Sequence, residues 1–114
     1  MKKDMKLNRI LMILGFSADK IGFHYIIQAV EFLNKQKIHV NLSTVYEKVY
    51  KKNKKIATEY AVERNIRYAI ESAYKRNPIF KKIYAKKPLN GEFLYDLVFN
   101  KDVFIDTIEK YCYL

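Results

Sequence analysis

The stretch from Thr58 to Asn77-Pro78 constrains this chain more than any other. Val62, Ile66, Ala69, Ile70 and Ala73 stand at offsets 0, +4, +7, +8 and +11. That is the spacing of a single apolar stripe along an α-helix. Thr58 is a natural N-cap, and Glu59 suits the positive end of the helix dipole. Asn77-Pro78 stops the helix, because the residue before a proline is pushed out of the helical region. The spacing therefore predicts a helix over 58–76. One side enters a core, and the other carries Tyr60, Glu63, Arg64, Arg67 and Glu71. A helix of this kind is stable only when other elements cover its stripe.

The rest of the chain supplies that cover with more helices. Three Gly and two Pro among 114 residues leave little turn punctuation, while Lys, Leu, Ile and Glu are plentiful. Leu7, Ile10, Leu11 and Leu14 predict a helix over 4–15, closed by Gly15 with positive φ. Ser17 is the expected N-cap of a helix reaching about Lys35. Lys37–Leu42 alternates and reads as a short extended connection. Ser43 or Thr44 is the expected cap of a helix over 44–52, with Glu47 completing a capping box. A short helix is expected at 79–84. Asn90 is the expected cap of a helix from 91 to 99, and Asp102 that of one reaching about 111. The expected fold is all-α, a compact bundle of about six helices. Its length is that of one domain, 1–114, with 99–114 as a C-terminal helical extension. Half of the residues are hydrophobic and 17 are Tyr or Phe, enough for a core.

The net charge of +10 is unevenly spread. Residues 44–87 hold thirteen basic and four acidic groups, and residues 88–114 two and five. The middle of the chain is thus +9 and its end −3. A polyanion is the natural partner for such a patch. The lone Cys112 forms no internal disulfide. Ile10–Leu14 is too short for a signal peptide core, and no stretch nears the roughly 20 apolar residues of a membrane span. A cytoplasmic protein without a membrane partner is the expectation. His24 and His39 lack ligand spacing with Cys112, so no metal is expected. No glycine-rich phosphate loop and no nucleophile–base arrangement appears, so neither cofactor nor enzyme activity is expected.

The helices over 44–52 and 58–76, joined by a short basic turn, have the form of a helix-turn-helix. In that motif the second helix enters the major groove of DNA and its N-terminal part meets base edges. An Arg can hold guanine O6 and N7 with two hydrogen bonds, and a Glu can accept from the cytosine amino group. Glu63 beside Arg64, with Arg67 one turn on, could read adjacent bases. The same pattern also fits a solvated surface with Glu63 and Arg67 as an i,i+4 ion pair. Lys51, Lys52, Lys54, Lys55, Lys75, Lys81, Lys82, Lys86 and Lys87 flank this helix and are candidates for phosphate neutralisation.

A longer correspondence adds to this. Ile10-Leu11 through Leu14-Gly15-Phe16, Gly22-Phe23-His24-Tyr25-Ile26, Gln28-Ala29-Val30, the run Val62 to Glu71, and Lys87-Pro88-Leu89-Asn90-Gly91-Glu92-Phe93 occur in order over about residues 7–98. Together they resemble the C-terminal DNA-binding effector region of the sporulation stage-zero response regulator family. The resemblance implies that Glu63, Arg64 and Arg67 contact bases. The hydroxyls of Tyr60 and Tyr68, which stand in place of the usual family residues, and Lys54, Lys55, Lys75, Lys86 and Lys87 of the basic flanks are the expected contacts to the phosphate backbone. It further implies head-to-tail pairing on tandem sites and contact with RNA polymerase. Tyr60, Ala61 and Tyr68 depart from the residues usual in the family. No receiver domain precedes the matching region in this sequence, so either an excised domain or a stand-alone relative is expected, and Met1 with the segment 99–114 favours the second. The function expected is a sequence-specific regulator that binds double-stranded DNA. The alternatives are a protein-interaction module that modulates a full-length regulator or RNA polymerase, and a charge-driven nucleic-acid binder.

Overall fold

The computed structural model describes residues 5–36, 40–54 and 58–112. Among these the chain forms seven helices and no strand: α1 (Leu7–Ile13), α2 (Ile21–Gln36), α3 (Leu42–Lys52), α4 (Glu59–Arg76), α5 (Pro78–Ile83), α6 (Asn90–Phe99) and α7 (Lys101–Cys112). The all-helical expectation holds, with one helix more than about six.

α4 is the centre of the molecule. Val62, Ile66, Ile70 and Ala73 are buried, as their spacing requires. Thr58 caps the helix through its side-chain oxygen, which accepts from the Ala61 amide at 3.0 Å. α2 packs along α4, and α3 and α6 flank it. The approach of α2 is unusually close at Gly22. A Cβ there would lie 2.3 Å from the backbone oxygen of Asn65 and 2.8 Å from the Ala69 Cβ.

Gly15 has φ +100°, the left-handed conformation expected at the end of α1. Carbonyls at the end of α1 and just beyond it are taken up by the far end of α4. Asn77 Nδ2 donates to Ile13 O at 3.1 Å, and Arg76 Nη2 donates to Gly15 O at 3.0 Å. Asn77 also caps α5, accepting from the Phe80 amide at 3.0 Å.

Four caps differ from expectation, and the simplest is Asp102, which lies in the first turn of α7 because that helix already begins at Lys101. Ser17 does not start α2. Its hydroxyl bonds Asp19 and its carbonyl accepts from Lys20 N in a turn, so α2 begins only at Ile21. Asn41, rather than Ser43 or Thr44, caps α3. Its side chain accepts from the Thr44 amide at 3.0 Å and from both hydroxyls. Glu47 pairs with Lys51 instead of closing a capping box. Asn90 lies inside the first turn of α6, and Leu89 occupies the cap position. Of the extended connection predicted over 37–42, residues 37–39 fall outside the described residues, and Asn41 is extended.

The far half of the core is aromatic. Phe93 of α6 stacks on Phe16 (centroids 5.4 Å apart), meets Phe80 at 5.3 Å, and turns its edge to Phe104 of α7 at 5.9 Å. Phe104, Ile105 and Ile108 are buried, so α7 packs into the core. Tyr84 closes this cluster and donates from its hydroxyl to Asp96 Oδ2 at 2.7 Å. Burial, reinforced by that bond, pushes its hydroxyl far above the ordinary tyrosine range. The unfolded chain gives up this proton near pH 10, whereas the folded chain keeps it. The contribution is therefore present below that pH and is lost as pH rises beyond it, at about 1.4 kcal/mol per pH unit. Tyr84→Phe is expected to flatten the alkaline fall in stability, measured by urea unfolding on either side of pH 10. An unchanged slope would show that Tyr84 titrates normally.

Candidate nucleic-acid interface

The side of α4 opposite its buried stripe presents the expected group together. Tyr60 and Tyr68 are exposed, and Glu63, Arg64 and Arg67 are partly exposed between them. They lie within the first ten residues of the helix, so one short segment carries all five.

The two arginines differ in their partners. Arg67 Nε donates to Glu63 Oε2 at 2.9 Å and Nη2 to Oε1 at 3.4 Å. The i,i+4 pair considered from the sequence is thus formed. The Glu63 hydrogen bond raises the guanidinium above even its ordinary high value, so it stays cationic. Its plane also lies 5.2 Å from the Tyr68 ring. Arg64 forms no ion pair among the described residues. Its guanidinium lies 5.1 Å from the ring of Tyr60, one turn earlier. An aromatic face under a guanidinium limits its motion and leaves its N–H edge free to donate. The tyrosines therefore orient the arginines, a role that spacing alone did not suggest.

The predicted lysines are scattered around this group. Lys54 is exposed in the turn after α3, Lys75 in the last turn of α4, and Lys86 in the loop before α6. Lys87 pairs with Glu71 of α4 at 3.2 Å. Lys55 lies outside the described residues. The structure thus gathers Tyr60, Glu63, Arg64, Arg67 and Tyr68 on one helix and sets the lysines around its ends and flank.

Other residues hold this surface in place, and sequence reasoning missed them. Asn53 ends α3, donates from Nδ2 to Val49 O at 2.8 Å, and bonds Gln28 Oε1 of α2 at 2.6 Å. Asn90 is a buried polar residue, and its Nδ2 bonds both Tyr46 Oη at 2.9 Å and Glu63 O at 3.1 Å. Burial raises the Tyr46 hydroxyl, so it remains a neutral partner. Gly22 admits α4 to close contact with α2. The signal available was weak: an Asn before a helix reads first as a cap.

Among the described residues, no group of three or more His, Cys, Asp or Glu could hold a metal ion. No helix there is long and apolar enough to cross a membrane.

α3 and α4 are successive packed helices, the second buried behind and charged in front, as in the helix-turn-helix class of DNA-binding domains. Residues 7–101 match the family described as the C-terminal domain of the sporulation initiation factor Spo0A, and the chain belongs to that family. It is a family of DNA-binding domains in sporulation transcription regulation. No curated protein matches the chain.

Proposed function

We propose that this protein is a sequence-specific regulator that binds double-stranded DNA with the N-terminal half of α4 in the major groove. The observation that carries this reading is Arg64. It lies across the Tyr60 ring, engaged by no carboxylate among the described residues, on a helix whose other side is core. Such a guanidinium is pre-oriented for the two acceptors of guanine. Glu63 and Arg67 complete the base-reading group. In the unbound protein they satisfy each other, so reading a cytosine with Glu63 requires their pair to open. Tyr60, Tyr68, Lys54, Lys55, Lys75, Lys86 and Lys87 contact the phosphate backbone, with Lys87 exchanging Glu71 for phosphate. Binding in tandem head-to-tail copies, contact with RNA polymerase and a cytoplasmic location belong to the same proposal, and the family resemblance supports them.

The test is selection from a random duplex library at physiological salt, followed by titration of the enriched site. Arg64→Ala is expected to cost about 1–3 kcal/mol on that site and to flatten preference at one base pair. Equal weakening on enriched and random duplexes would remove Arg64 from base reading. No duplex binding at all would favour the protein-interaction alternative. Strong binding without an enriched motif would favour a charge-driven binder.

A further inference from the structure

We infer that Asn90 is a positioning residue for base reading, the anchor of a strap formed by Lys87-Pro88-Leu89-Asn90 along α4. The inference rests on the proposed reading of DNA by α4. In the unbound protein the four residues are attached at both ends to the helix that carries the base-reading group, and on DNA the Asn90 end remains. Lys87 Nζ pairs with Glu71 Oε2 at 3.2 Å, and Asn90 Nδ2 bonds the backbone oxygen of Glu63 at 3.1 Å. Glu63 and Glu71 are eight residues apart, so the strap spans two turns, about 12 Å of helix. Pro88 between them is buried, and its ring fixes the local backbone.

The Asn90 end has the better claim to precision. A primary amide has two N–H donors. Here one meets Glu63 O of α4 and the other Tyr46 Oη of α3. Asn90 is only 9% exposed, whereas Lys87 is 36% exposed. A solvated ion pair holds position weakly, and a buried hydrogen-bonded amide holds it well. The amide thus joins three helices at the residue whose side chain is to read a base. It fixes the placement of Glu63, and through it Arg67, relative to α3. A shift of about 1 Å at this point misplaces both side chains against base edges, while phosphate contacts by long lysines adapt.

The test compares affinity for the selected duplex with affinity for random duplex, well below the melting temperature. Asn90→Leu keeps the charge and the branched shape, adds some bulk, and removes both donors. It leaves Glu63 O in its helical hydrogen bond, so the chain is expected to fold. The ratio of specific to random affinity is expected to fall about tenfold, the effect of losing two buried hydrogen bonds at about threefold each. The salt dependence of random binding is expected to stay unchanged, because no phosphate contact is removed. Tyr46→Phe removes one of the two partners and is expected to lower the ratio about threefold. It carries the test alone if Asn90→Leu does not fold. A purely structural role for Asn90 would lower the melting temperature and leave the ratio intact. A wild-type chain that selects a motif, with variants that discriminate equally well, overturns the inference alone. A wild-type chain that selects no motif overturns the DNA-reading proposal and this inference with it.

Discussion

Gly22→Ala is expected to destabilise the domain by about 2–3 kcal/mol and to lower its melting temperature by roughly 8–15 °C. Two effects oppose each other here. Alanine is the better helix former, but Gly22 is the second residue of α2, where the gain is smaller than the roughly 1 kcal/mol of a helix interior. Against this, its Cβ would sit 2.3 Å from the Asn65 carbonyl oxygen. That oxygen belongs to the backbone of α4 and cannot rotate away as a side-chain tip could. The Ala69 Cβ at 2.8 Å closes the other direction. Relief requires α2 and α4 to separate along their packed length, and the clash wins. The same movement displaces the segment Glu63–Arg67, so duplex affinity is expected to fall with stability. Thermal unfolding followed by circular dichroism measures the first effect. A melting temperature equal to wild type would mean the helices do not approach as closely as described.

Phe93→Ala is expected to cost about 3–5 kcal/mol, a large part of the stability of a domain this size. Phe93 is fully buried and its ring meets Phe16, Phe80, Tyr84 and Phe104. These come from the segment after α1, from α5, from the loop after α5 and from α7. No single neighbour can collapse into the space, because each is held by a different element. Urea unfolding gives the value, and Val103→Ala, at a position 50% exposed, is the control. The control is expected within about 0.5 kcal/mol of wild type. A Phe93→Ala loss as small as the control's would mean that α6 does not bind the two halves of the core together.

Much of this architecture is legible without coordinates. The α4 boundaries follow from Thr58, from one apolar stripe and from Asn77-Pro78, and all are local signals. The positive φ of Gly15 is local in the same sense. The caps of α2 and α3 are not legible in the same way, because several short polar residues stand together there. Each can accept a backbone N–H, and only the path of the chain decides which does. Asn41 wins over Ser43 and Thr44 because its side chain gathers both hydroxyls as well as the amide. Asn90 has a cap's composition and a cap's position to within one residue, yet it turns to α3 and α4. That choice depends on Tyr46 and Glu63, which lie 44 and 27 residues away.

The sequence by itself determined the helices, the central stripe and the set of side chains on the outer side of α4. Residues three and four apart on a helix must share a face, whatever surrounds them. Only the tertiary structure decided how that face is held and which of its charges are committed. It paired Glu63 with Arg67, laid Arg64 on Tyr60, brought Gly22 against Asn65, and bound Asn90 to two helices at once. It also drew Phe104, Ile105 and Ile108 into the core. The physical reason is range: periodicity and capping act within a turn or two, whereas close approach and buried hydrogen bonds join residues far apart in the chain.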